Sequence, residues 1–545
     1  MLSGWFIALL ATAYLGLLFA VARFGDARAD AGKSIISANV YALSVAVYCT
    51  SWTFYGSVGR ATSGGLSFLT IYIGPTLMLL CVGVIIKMIR ISKAQRITSI
   101  ADFIASRYGK SQLLAGMVTV IAVIGVVPYI ALQLKAMAAS VDVLLEHSGG
   151  SFQVLGLDST FLIAVVLALF SILFGTRHLD ATERHEGMVA AVAFESVVKI
   201  VAFMAVGIFV TYGMFGGLSD LFQKAAASAD FGRLLQLDSS RAGTWTSLII
   251  LSGLAIIFLP RQFQIIVVEN VDESHLKRAV WLFPLYLLLI NIFVLPLALG
   301  GLLHTQGQPF NADTFVLTLP LARGAEALAL LVFIGGLSAA TGMVIVETIA
   351  LSTMVCNDLV MPWLLRSSHL GESRDLSRLL IGIRRAAIAL ILLLGYIYFR
   401  AAGEAYALVG IGLISFAAVA QFAPAMFGGM YWKQGTRAGA IAGLLGGFSI
   451  WVYTLLLPSF ARSGWIGNGF VEQGLFGITW LKAQALFGLS GLDEISHSLW
   501  WSLLINLGLY IIVSLNSRPD AVEAGQAERF VDIFRHSAQE TGTRI

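Results

Sequence analysis

Glu195, Lys199 and Glu347 stand deep inside long apolar runs of this 545-residue chain, where charge is costly and rarely idle, whereas Lys135, near the outer end of its run, reads as snorkelling. Glu195 and Lys199 are spaced i, i+4, so they share one helical face and can pair. Glu347 is a lone acid in a later run. Inside a membrane such groups face a bundle interior or a water-filled cavity. Glu195 and Lys199 therefore read either as a structural ion pair or as a gate or proton relay. Hydroxyls form a second concentration of chemistry. Tyr48-Cys49-Thr50-Ser51-Trp52-Thr53-Phe54-Tyr55-Gly56 carries five hydroxyls in nine residues, near the middle of an apolar run. β-branched and hydroxyl residues before Gly weaken a helix. In lipid an unwound turn is tolerated only where it lines a protein-enclosed cavity, and there it offers carbonyls to a cation and helix ends to a ligand. Helix packing through small polar residues accounts for the same stretch equally well.

Two further groups are of the same kind. In Gly335-Gly336-Leu337-Ser338-Ala339-Ala340-Thr341-Gly342, Ser338 and Thr341 share a face at mid-depth. A hydroxyl pair beside carbonyls suits a hard cation such as sodium, and small-residue packing suits the segment too. Pro128, Tyr129 and Gln133 place a kink, an aromatic and an amide together. They line a pocket or only bend a helix. No phosphate-binding glycine loop, metal-ligand cluster or nucleophile triad is present in the sequence, so neither an enzyme nor a cofactor is expected, beyond a sodium ion or a proton as coupling ion. Cys49, Cys81 and Cys356 have no metal or disulfide spacing. His178 and His185 read as solvated residues of a connection.

The elements that hold these groups follow from composition. Hydrophobic residues make up 58% of the chain and charged residues 12%, about half the usual share. Mean hydropathy is +0.84. A soluble fold could not cover that much apolar surface, and disorder is excluded too. The net charge of +4 points to no nucleic-acid partner, since basic residues here set topology. Thirteen apolar stretches are long enough to span: roughly 3–22, 36–58, 65–89, 112–140, 159–175, 187–214, 245–268, 279–303, 326–356, 383–399, 405–430, 438–458 and 495–516. With the amino terminus outside and the carboxyl terminus cytoplasmic, inside connections, Arg261 counted among them, hold roughly three times as many Lys and Arg as outside ones. The expectation is an all-α polytopic membrane protein whose first helix is retained and not cleaved as a signal peptide. Residues 97–108 read as a short helix on the inner membrane surface, residues 304–325 as a connection long enough to be a lid, and 517–545 as a polar tail with a helix-forming stretch.

The run Phe416-Ala-Ala-Val-Ala-Gln421-Phe-Ala-Pro424, with Gly429-Met-Tyr431-Trp432-Lys433 and Gly439-Ala440-Ile-Ala-Gly443, resembles the carboxyl-half signature of the sodium:solute symporter family. More finely, Pro128-Tyr-Ile-Ala-Leu-Gln133-Leu-Lys-Ala, Thr176-Arg-His-Leu-Asp180 and Ser338-Ala-Ala-Thr-Gly are similar to the transporter-like region of CbrA-type sensor histidine kinases. The resemblance implies a LeuT-like fold of two inverted five-helix repeats, spans two to six and seven to eleven. Residues 1–35 would be an accessory helix and first inner loop, 36–430 the core, 431–516 accessory helices and 517–545 a cytoplasmic tail. It implies a cation site of Val47, Thr50, Ser338 and Thr341. Thr50, Ser51 and Trp52 would hold the solute's backbone-like groups, and Tyr129 and Gln133 would face its side chain. Cys49 stands where some sodium-coupled members have an acid, and Glu195 lies one position before the acid of sugar-type members. Gln434 replaces a basic residue often seen after Tyr-Trp-Lys. Proton coupling through Glu195 thus rivals sodium coupling. The implied function is a cation-coupled symporter of a small solute, an amino acid such as histidine, in the bacterial inner membrane. The alternative is the ligand-sensing input domain of a two-component sensor kinase, with a cytoplasmic kinase module or response regulator as partner. The chain ends at Ile545, before any such module, which reads as a fragment or a free-standing homologue.

Overall fold

A computed structural model describes residues 4–147, 158–175, 185–236, 239–305, 310–366, 376–402 and 407–535. Helix runs through each of the thirteen apolar stretches. Among the described residues, the only strands are a hairpin, Leu481–Lys482 against Ala485–Leu486, in the connection after the twelfth span. Thr176–Asp180 and His178 lie outside the described residues, as do 306–309 and 536–545.

Among the described residues ten helices are long and apolar enough to cross a membrane, or eleven if the bent pair Ala242–Phe258 and Pro260–Val268 is one span. The expected thirteen is not reached, for a physical reason. The fifth stretch forms Ser159–Gly175, only 17 residues. The second is broken: its first half is the short helix Ala38–Tyr48, and its second half runs on into the third as Trp52–Leu80. The result is a multi-pass helical membrane protein.

Burial separates centre from rim. In the ninth span 83% of the most apolar window is buried and in the eleventh 94%, against 28% in the first. Central helices meet protein on every side, so small residues decide how closely they approach. A Cβ on Gly336 would come within 1.7 Å of the Tyr55 hydroxyl, and one on Gly342 within 2.3 Å of a Glu195 carboxylate oxygen. The ninth span's glycines therefore admit the second and sixth spans to its surface.

The helices expected to open each repeat are both interrupted at mid-length. In the second span a 3₁₀ turn, Val45–Tyr48, ends at Cys49, whose ψ of 97° is extended. In the seventh, Leu259 is extended (ψ 131°) and Pro260 starts a new helix at a 56° bend, in the first-turn position where proline's missing N–H is harmless.

On the face where Lys and Arg concentrate, Ile100–Arg107 is a helix capped by Ser99, whose Oγ accepts from the Asp102 amide at 3.0 Å. It does not lie on a free membrane surface. The tail folds into Ala521–Val531, and Phe530 packs against Phe103 with centroids 5.3 Å apart. Lys87 donates to the Val531 carbonyl at 2.9 Å. The lid-length connection 304–325 contains a further helix, Phe315–Ala322, with Phe315, Val316 and Leu317 buried, so this part is packed into the protein.

Candidate functional site

The first break exposes the end of a half-helix, where carbonyls lack intrahelical partners and the dipole favours positive charge. Lys199 supplies it. Its buried Nζ donates to the Ala46 carbonyl at 2.9 Å and the Cys49 carbonyl at 2.8 Å. One turn earlier, the Glu195 carboxylate accepts from the Thr341 hydroxyl at 2.5 Å, and the Glu195 carbonyl accepts from Ser338 at 2.9 Å. Glu195 Oε2 has no partner.

The residues of the expected cation site lie around this break. The carbonyls that Lys199 bonds belong to Ala46 and Cys49, each one residue before Val47 and Thr50. Thr50 instead points its hydroxyl at Tyr129, 2.8 Å away. Ser338 and Thr341 do come to the same place, yet they bond Glu195. Glu195 and Lys199 take separate partners and not each other.

The five expected solute-contacting residues assemble. Besides the Thr50–Tyr129 bond, the Ser51 amide donates to Gln133 Oε1 at 3.2 Å. Trp52 meets Tyr129 edge-on at 6.3 Å between centroids and Phe416 at 4.8 Å. Tyr129 stacks on Phe416 at 5.7 Å. Phe416, from the eleventh span, was read only as part of a signature and packs against both aromatic rings of this cluster. Ser51 Oγ and Trp52 Nε1 are buried without partners, which in a native interior calls for an explanation.

The second break contributes residues that sequence reasoning missed. Arg261, counted above with an inside connection, is fully buried in the seventh span. Its Nη1 donates to Glu347 Oε2 at 2.6 Å, so Glu347 is not a lone acid. The guanidinium lies 4.4 Å from the centre of the Tyr129 ring, which brings the second break to the pocket of the first. The available signal was a Pro-Arg pair inside an apolar run together with a membrane acid in want of a partner.

At the end of the seventh span, Glu269 accepts from the His185 amide at 3.0 Å and lies 2.9 Å from His185 Nδ1. His185 is thus paired, not merely solvated. Burial acts to raise the Glu269 pKa, but the His185 charge and hydrogen bonds outweigh it and hold it below the usual carboxylate range. Burial likewise acts to lower the His185 pKa, and Glu269 overcomes that and lifts it. Among the described residues no group of three or more His, Cys, Asp and Glu could hold a metal ion.

No family model matches the sequence. The chain is 25% identical over 279 residues to a protein of Bacillus subtilis (strain 168) described as the uncharacterized symporter YhjB; the match covers 50% of this chain and 53% of that protein. The chain thus spans about half the length of the curated relative it matches. Among solved structures, the substrate-bound, outward-open state of a Na+-coupled sialic acid symporter superposes with a TM-score of 0.62 at 16% identity, over 94% of this chain and 98% of the other. At that identity the likeness establishes the fold, which is LeuT-like. The proteins that this chain resembles are transporters, not enzymes.

Proposed function

We propose that the chain is a secondary active transporter, taking up a small organic solute with a cation by alternating access. The observation that carries this is the pair of broken spans meeting at Tyr129, with carbonyls, hydroxyls and charges gathered where lipid would otherwise forbid them. Spans two to six and seven to eleven form the two repeats within residues 36–430, flanked by an accessory first helix, accessory helices over 431–516 and a tail. Thr50, Ser51, Trp52, Tyr129 and Gln133 hold the solute, an amino acid with histidine as first choice, as the sequence resemblance suggests. The carboxyl terminus would face the cytoplasm, an orientation supported by the basic connections, and the membrane would be a bacterial inner membrane, as the sequence resemblance suggests.

For the coupling ion, the position of Lys199 favours a proton. Its ammonium already fills the carbonyl pair that a sodium ion would need. Loss of its proton would remove the charge that holds both carbonyls and weaken their two hydrogen bonds, and Glu195, with one free oxygen a turn away, is the acceptor at hand. A sensing role is a second reading, favoured by one observation: Phe263, two residues past Arg261, packs on Phe103 at 5.7 Å, and Phe103 packs on Phe530 of the tail helix. Solute occupancy at the second break could reach the tail through that aromatic chain.

Sealed proteoliposomes holding the full chain test the reading. Labelled histidine should accumulate under an inward pH gradient and not under a sodium gradient alone. Accumulation of neither histidine nor other amino acids under either gradient would sink the transport reading.

A further inference from the structure

Arginine presents its N–H groups as a planar fork, and the side-on edge, Nε with Nη2, is the one that matches both oxygens of a carboxylate. In Arg261 the end-on atom Nη1 is taken by Glu347, whereas Nε and Nη2 are both without a partner in a residue of 0% exposure. Leaving two donors of a buried cation unmade is expensive, and a wholly structural ion pair would use them. The surroundings share the shortfall. Gln262 next to it is fully buried with neither Nε2 nor Oε1 engaged, and Glu347 Oε1 is free. These atoms sit at the second break, and the Arg261 guanidinium covers the face of the Tyr129 ring whose hydroxyl meets Thr50.

We infer that Arg261 is the anchor for a carboxylate of the transported solute, received on its Nε–Nη2 edge while Glu347 keeps the guanidinium in place. Gln262 supplies a neutral donor and acceptor beside it. The inference rests on the transport reading and names its substrate class: solutes bearing a carboxylate, amino acids included, as against neutral sugars or polyols. Charge agrees with this. Lys199 with Glu195 and Arg261 with Glu347 balance, so an incoming carboxylate is offset by an amino acid's own ammonium or, in an acid that lacks one, by a proton arriving with it.

The test is binding to the detergent-purified full chain, read as a shift of its melting midpoint by L-histidine, L-proline and N-acetylneuraminate, each against its carboxamide, with D-glucose as a neutral comparison. At least one acid should bind, and its carboxamide should bind at least about tenfold more weakly, since a site built for hydrogen bonds rejects a ligand that cannot make them. Arg261→Gln alone would strand Glu347, so Arg261→Gln is combined with Glu347→Gln, which keeps both shapes and removes both charges. That double variant should melt near the parent and lose acid binding by about tenfold or more, and Arg261→Lys, a point charge without the fork, should fall between. Acid and carboxamide binding alike, undiminished acid binding by the double variant, or no acid binding at all would each overturn the assignment. Binding is read without a gradient. A chain that binds an acid yet accumulates nothing in liposomes defeats the transport reading alone, and one that accumulates only neutral solutes defeats this one alone.

Discussion

The two breaks that cross the middle of this protein solve the same problem in opposite ways. At the first, Cys49 and Thr50 leave the helix, and the carbonyls so exposed are met by another span's side chain, Lys199. At the second, Pro260 restarts the helix with no N–H to satisfy, and the charge belongs to the broken helix itself, as Arg261. The first break is closed by an internal cation. The second carries a cation whose bonding is half used. The contrast teaches a division of labour: the first break is suited to coupling, because a titratable charge holds it, and the second to holding a solute, because it already offers donors.

The sharpest way to break the comparison is to remove the internal cation. Lys199→Ala takes the side-chain donor from the Ala46 and Cys49 carbonyls and leaves Glu195 without a neighbouring positive charge, a loss of about 3–5 kcal/mol by analogy with other buried charges deprived of a partner. Uptake in proteoliposomes should fall by at least about 100-fold at that energy. The vacated space would then have two carbonyls beside the hydroxyls of Ser338 and Thr341. Sodium should raise the residual uptake of the variant and leave that of the parent unchanged. Sodium stimulation of the parent would show that the ammonium does not hold the cradle, and the contrast would fail.

Next in size is the second break. Glu347→Gln leaves Arg261 charged and buried with no counter-ion, and should cost about 3 kcal/mol, read as a lower melting midpoint. Adding Arg261→Gln should restore most of it. If the double variant is no more stable than Glu347→Gln alone, the pair is not the unit that holds the second break.

These two breaks also mark how far the sequence was legible. The spans were readable because each apolar run is set by the solvent it must meet. The count of thirteen is not confirmed where that logic weakens: Ser159–Gly175 is short, and the second stretch divides at Cys49. The first break announced itself through hydroxyls before Gly56, and the five residues around Thr50 and Tyr129 did converge. What filled the break was hidden, because Lys199 binds main-chain oxygens 150 and 153 residues away, and a carbonyl has no residue type. The second break was hidden differently. An arginine near the end of an apolar run looks like a topology signal, and only Glu347, 86 residues later, shows it to be buried.

A smaller effect tests the pocket between the breaks. Tyr129→Phe keeps the ring against Arg261 and Phe416 but removes the hydroxyl that meets Thr50. The loss of one buried hydrogen bond is worth about 1 kcal/mol, which would raise KM about fivefold with kcat little changed. A fall in kcat with KM constant would place Tyr129 in the conformational step and not in solute binding.

The smallest effect concerns the far end of the second broken helix, and it links the two breaks. The sixth span that carries Lys199 begins beside His185, and His185 holds Glu269 just beyond the seventh span. One helix thus grips both broken spans, the first by an ammonium and the second by an imidazole. Glu269 lifts the His185 pKa against the opposing pull of burial, so the folded protein binds this proton more tightly than the unfolded chain. Its stabilisation is complete below the ordinary imidazole pKa and fades as pH rises through the lifted value. Glu269, held low against burial by His185, contributes above the ordinary carboxylate pKa and loses that contribution as pH falls through its lowered value. The pair therefore acts fully between roughly pH 4.5 and 6.5. His185→Gln should lower the melting midpoint within that window, by about 1 kcal/mol or less for a partly exposed pair, and the two proteins should converge well above it. A gap of equal size at pH 6 and pH 9 would mean that His185 holds the second helix by shape and its amide alone, and the parallel with Lys199 would reduce to position.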